Sequence, residues 1–149
     1  MTVTDPVPGH GVTLLENLVS ASHVRIVDLL IEASRDTPTV GVADAVQRQL
    51  VHDVRAHLQV VRQVLGADLT HPEREGVDRD HGEVMTALRR LDAGRGDRAE
   101  ALRDLLACVR GHIALEEASL LPSLRSRVGD KRMAALSFNY ASIADTHLD

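Results

Sequence analysis

The chain has 149 residues, a formal net charge of −5 and 44% hydrophobic residues, the make-up of one folded domain with a real core rather than of a disordered segment. Its aromatics are Phe138 and Tyr140, too few for a nucleobase-stacking platform, and an acidic balance disfavours a phosphate backbone as partner. A single cysteine, Cys108, excludes an intramolecular disulfide. The opening Met-Thr-Val-Thr-Asp-Pro lacks the basic and apolar regions of a secretory signal, and no run approaches the ~20 apolar residues that span a bilayer, so a cytoplasmic location without membrane contact is expected.

Residues 1–11, with Pro6, Pro8, Gly9 and Gly11, read as an irregular arm. From Val12 to Ser34 the residues Leu15, Val19, Ile26, Val27 and Leu30 recur at helical spacing, and Asp36-Thr-Pro38 punctuates the end. A second helix is expected over Val42 to Leu65, with Val46, Leu50, Val54, Val61 and Val64 on one side and Gly66 as its stop. After a loop holding Pro72, a third runs to Leu91 and ends at Gly94-Arg-Gly96. Asp97, with Glu100 three residues on, has the form of a capping box that opens a fourth helix. That helix is expected to reach Val128, with Pro122 as a kink or end. Gly129-Asp130 breaks the chain before a fifth segment, 131–146. Short connections between long helices make neighbours antiparallel. The expected fold is therefore all-α, an up-down-up-down four-helix bundle over 12–128 followed by a short C-terminal helix within 129–149.

Two half-sites stand out against this frame. One is Asp80-His81 followed by His112-Ile-Ala-Leu-Glu116-Glu117-Ala-Ser-Leu-Leu-Pro122, and the other is Ser22-His23 followed by His52-Asp53-Val-Arg-Ala-His57. A histidine and a carboxylate four apart on a helix project from one face, a turn apart. Two such hairpins packed face to face aim imidazoles and carboxylates at one buried point, which is how a helical bundle builds a non-haem metal site. His23 lies between Val19, Ile26, Val27 and Leu30, and His81 among Val77, Val84, Met85 and Leu88. Both settings are core-facing, which suits a ligand and a hydrogen-bonded core histidine alike.

The order of His, His with carboxylate, His, and His-x-x-x-Glu over four helices resembles the hemerythrin-like HHE cation-binding family from Leu14 to Val128. The resemblance implies ligand roles for His23, His81, His112 and Glu116, two irons inside the bundle (one ion being the alternative), and a small diatomic molecule or peroxide as partner. It also implies dioxygen binding, or catalase-like or nitric-oxide-reacting chemistry if the protein is an enzyme. The alternative is a regulatory or sensor module with an altered, mononuclear or empty site. No protein partner is specified.

The second helix departs from the family pattern, because Ala56 stands four residues after His52. The hydrophobic register points elsewhere. Seven and three residues before His112 and eight after it stand Leu105, Val109 and Leu120. The same offsets give Ala45, Gln49 and Val60 around His52, but Val46, Leu50 and Val61 around Asp53. Asp53 and His57 then take the place of a His and a Glu, with the residue types exchanged. The repeat agrees: His23 and His81 are 58 residues apart, and Asp53–His112 and His57–Glu116 are each 59 apart.

Around these residues the readings stay open. Glu117 reads as an outer carboxylate. Cys108, one turn before His112, is either a small packing residue or a thiolate near the site. His71 reads as a loop residue. Tyr140 reaches the site only if the last helix folds over the bundle, which nothing in the sequence demands.

Successive helical residues diverge by about 100°, so His52 and His57 do not serve one point equally. Metal content is expected to fall in His57→Ala and largely survive in His52→Ala. The reverse outcome would restore the family alignment at His52.

Overall fold

The computed structural model describes residues 14–35 and 40–148; the expected arm at 1–11 and the Asp36-Thr-Pro38 turn lie outside the described residues. Helix α1, Leu15–Ala33, turns Leu15, Val19, His23, Ile26, Leu30 and Ala33 inward, a stripe of three- and four-residue steps. Helix α2, Val40–Leu65, ends where Gly66 was expected to stop it, and a 3-10 turn, Gly66–Asp68, follows. Helix α3 spans His71–Asp92, so His71 and Pro72 open a helix rather than fill a loop. Thr70 Oγ1 accepts from the Glu73 N–H (3.2 Å) and the Glu73 carboxylate accepts from the Thr70 N–H (2.9 Å), while Pro72 occupies the first turn, where a missing N–H costs no helical bond.

Helix α4, Arg98–Ala114, is capped by Asp97, whose carboxylate accepts from the Ala99 N–H at 3.0 Å. Glu100 turns instead toward Arg90, 4.0 Å away, so the cap forms without the rest of the expected box. From Leu115 to Leu120 the chain is a π-helix, and α5 follows as Leu121–Leu148. Pro122 therefore neither ends nor breaks the helix. A proline ring crowds the carbonyl four residues back, and the widened π turn immediately upstream relaxes that crowding. The break falls at Gly129, with φ 85° and ψ 168°, as the Gly129-Asp130 pair suggested.

The structure is all-α among the described residues. Helix α1 packs on α2, α4 and α5, α2 on α3 and α5, and α3 on α4. The fourth bundle helix is α4, the π segment and α5 as far as Gly129, and the remainder of α5 is the fifth helix. The core has two apolar layers. One holds Ile26, Leu30, Leu50, Val54, Val84, Leu88, Leu105 and Val109. The other holds Leu15, Val19, Val61, Val77, Leu120 and Leu124 together with Met133, Leu136 and Tyr140 from beyond the break. On every bundle helix the buried histidines fall between the residues of the two layers, so a polar belt crosses the bundle at mid-height. No helix among the described residues is long and apolar enough to cross a membrane.

The Gly129 conformation belongs to a region that L-residues avoid at a cost of about 1–3 kcal/mol. Gly129→Ala should destabilise the protein by that amount in urea unfolding, and a neutral substitution would show that the break relaxes without penalty.

Candidate metal centre

Four side chains from three helices converge in the belt. Glu116 Oε1 lies 2.8 Å from His23 Nε2, 3.0 Å from His57 Nε2 and 3.1 Å from His112 Nε2. His57 Nε2 is in turn 3.2 Å from His23 Nε2 and 3.0 Å from His112 Nε2. All four residues are buried, and the rings meet edge to face, with centroids 4.7–5.3 Å apart.

The outward nitrogen of each ring also has a partner. His112 Nδ1 meets Asp80 Oδ2 at 2.6 Å, His23 Nδ1 meets Glu117 Oε2 at 2.6 Å, and His57 Nδ1 lies 3.0 Å from Ser22 Oγ and 3.4 Å from Tyr140 Oη. An imidazole that donates Nδ1–H outward keeps its Nε2 lone pair aimed inward, the orientation of a metal-binding histidine. The π segment makes one of these pairings possible. With a wider turn, successive residues diverge by less than in an α-helix, so Glu116 and Glu117 grip His23 from its two nitrogens. The outer edge of His57 borders a cavity of about 200 Å³ between α1, α2 and the last part of α5, lined by Ser22, Arg25, Asp53 and Tyr140 among others.

Electrostatics follow from burial. Removal from water pushes the Glu116 carboxyl up, but the facing charge of His57 and hydrogen bonds from His112, His23 and His57 hold it well below the usual range. Burial opposes charge on His112, yet the hydrogen bonds to Asp80 and Glu116 prevail and raise it to about 9. Burial lowers His57. Burial, reinforced by charge on His112, lowers His81 to about 4. Burial raises the Tyr140 hydroxyl to about 12.

The donor set fits a cation. Donors about 2.1 Å from one ion stand roughly 3.0–3.4 Å apart at octahedral to tetrahedral angles, and the separations from Glu116 Oε1 and His57 Nε2 to the other donors run from 2.8 to 3.2 Å. Imidazole nitrogens 3.0 Å apart cannot both present N–H bonds to each other, whereas an ion among them accepts every lone pair. Glu116 Oε2 and both ring nitrogens of His81 are buried with no hydrogen-bond partner among the described residues, a costly state for polar atoms that a bound group relieves.

Among the residues that the sequence singled out, the structure gathers His23, His57, His112 and Glu116 at one point. His81 borders it, 5.6 Å from His112 between ring centroids, in a second grouping with Asp80 and His112. Asp53 is buried, as its register required, but stands outside the cluster: Oδ1 accepts from Gln49 Nε2 at 2.7 Å and Oδ2 lies 3.3 Å from Arg25 Nε. The charge that α1 brings along the α1–α2 seam holds this carboxylate there. His52 is on the exposed face of α2, where the apolar register put it. Cys108 packs against the apolar layer that holds Leu105 and Val109, borders a groove with Arg79, Glu83 and Asp104, and belongs to neither donor grouping. Ser22, Asp80 and Tyr140 join the site through contacts between helices, and for the first two the signal was their position next to His23 and His81.

A family model described as the hemerythrin HHE cation binding domain matches residues 15–124, from the start of α1 into α5. No curated protein and no solved structure matches the chain.

If Asp80 orients His112, Asp80→Asn should weaken binding of Fe(II) or Co(II) about 10- to 100-fold without loss of helicity by circular dichroism. Unchanged affinity would remove Asp80 from the site.

Proposed function

Because the chain belongs to the hemerythrin HHE cation-binding family, we propose that it is a non-haem iron protein that binds or reacts with dioxygen, hydrogen peroxide or nitric oxide. The observation that carries the reading is the convergence of three Nε2 atoms on Glu116 Oε1 while each Nδ1 is held from outside. Iron held by His23, His57, His112 and Glu116 would supply a redox-active centre for a small exogenous ligand.

The chain's own residues do the remaining work. Glu116 brings one negative charge into a buried site, which offsets the charge of a cation. Glu117, Ser22 and Asp80 fix the three rings, so little ordering is left to occur on binding. The apolar layers above and below the belt exclude water, and Tyr140 covers part of the outer edge of His57 beside the cavity. No nucleophile or acid–base pair independent of this cluster is needed.

The exchange in α2, where His57 fills the position of the family's second bridging carboxylate and Asp53 is engaged by Arg25, favours a second reading. In it the site serves a regulatory or sensing module, and the last helix is the element that answers to its state. Full iron occupancy with turnover supports the first reading. A folded protein that is metal-free when purified from iron-replete cells supports the second.

His112→Ala and Glu116→Ala are each expected to lower bound metal to well below half of wild type. The iron-loaded protein is expected to consume peroxide slowly, to retain that activity in Cys108→Ser and to lose it when iron is removed. Unchanged metal content in both alanine variants would sink the ligand assignment. An iron-loaded protein inert to peroxide, azide, dioxygen and nitric oxide would leave the sensing reading.

A further inference from the structure

We infer that this chain holds one metal ion rather than a pair, with His23, His57, His112 and Glu116 as its protein ligands, and that His81 stands beside that ion to hydrogen-bond the small molecule that binds there. The inference rests on the iron-binding reading above and departs from the two irons that the family resemblance implies.

The donors suffice for one ion. The second grouping, Asp80, His81 and His112, shares His112 with the first. Its Nδ1 is taken by Asp80 at 2.6 Å, and a neutral imidazole then has one lone pair left, on Nε2. That nitrogen is already 3.0 Å from His57 Nε2 and 3.1 Å from Glu116 Oε1. What remains for another ion is His81, Glu116 Oε2 and the Asp80 oxygen not engaged by His112, a set with a single imidazole that also draws on the carboxylate orienting His112.

The exchange in α2 removes what would complete a pair. A carboxylate at position 57 offers two oxygens on one edge, one for each metal. The imidazole of His57 offers Nε2 to the cluster, while Nδ1 faces away to Ser22 at 3.0 Å. Asp53, the carboxylate that α2 does carry, is spent on Gln49 and Arg25. Charge agrees with the donor count. Two divalent ions would bring four positive charges against Glu116 inside the cluster, with Asp80 and Glu117 behind the rings. Against Glu116 alone, the carboxylate within the cluster, one ion leaves one uncompensated positive charge where two would leave three, in a site with little water to solvate them.

His81 then has a different task. It is buried, and neither ring nitrogen has a partner among the described residues. The 59-residue offset that maps His57 onto Glu116 also maps Leu58 onto Glu117, so the position matching the carboxylate that holds His23 is apolar. A ring that nothing fixes from outside is a poor ligand, but it is placed to give or accept a hydrogen bond from a small polar ligand.

The test is iron stoichiometry of the wild-type chain after anaerobic loading with Fe(II), with electron paramagnetic resonance of the ferric form and titration with azide. About one iron per chain and an uncoupled high-spin ferric signal are expected. His81→Ala should keep that iron and bind azide about tenfold more weakly, the effect of one lost hydrogen bond. His81→Gln serves if the alanine variant does not fold. Two irons per chain in a coupled, signal-silent pair would overturn the inference and leave the iron-binding reading intact, as would loss of iron in the His81 variants. Unaltered azide affinity in those variants would overturn the role given to His81. A wild-type chain that takes up no iron would overturn the iron-binding reading itself.

Discussion

The organisation of this bundle depends on one buried oxygen atom. Glu116 Oε1 is shared by imidazoles from α1, α2 and α4, and Glu116 is 1% exposed. An ionised carboxylate out of water is very costly unless it is surrounded by donors or cations. Three helices must therefore approach one another at the same height, with small angular tolerance, and the apolar core must part to make room. Both happen. The rings lock edge to face, and the hydrophobic residues separate into a layer on either side. Even the departure from regular helix at Leu115–Leu120 serves this point, since it turns Glu116 inward while leaving Glu117 within reach of the far side of His23.

Much of this was legible in the chain because it is written along single helices. The steps from Leu15 to Leu30 and from Val46 to Val64 define faces, and those faces fix which of His52 and His57 points inward. Here the apolar neighbours were a better guide than the spacing of a family pattern, because burial decides direction before chemistry decides role. What was not legible is which side chain meets which between helices. Asp80 reaches His112, Ser22 and Tyr140 reach His57, and Arg25 draws off Asp53. Each contact depends on the rotation and height of two helices at once, and no periodicity within either reports them. The π turn was hidden for a related reason: Pro122 announces a disturbance, but whether the helix bends or widens depends on what Glu116 and Glu117 gain by it.

The halves of the bundle are related by an offset of 58 or 59 residues, and their differences matter more than their likeness. Ser22 stands where the other half has Asp80, His57 where it has Glu116, and Leu58 where it has Glu117. Each change removes a carboxylate from the first half. The second half thus supplies the anionic side of the site and the first supplies neutral donors, so the centre is polar from one hairpin to the other. Hydrogen-bonding partners are distributed in the same lopsided way: His23 has two carboxylates and His81 has none.

The belt has a mechanical consequence as well. Because it separates the apolar residues into two layers, a cavity cut into one is shielded from the other by a rigid tier of rings. Leu105 in the upper layer and Leu124 in the lower are both fully buried on the same bundle helix, about 28 Å apart at 1.5 Å per residue. Losses at such a distance, with no neighbour in common, add rather than compound. The protein thus holds its apolar stability in two small reservoirs instead of one.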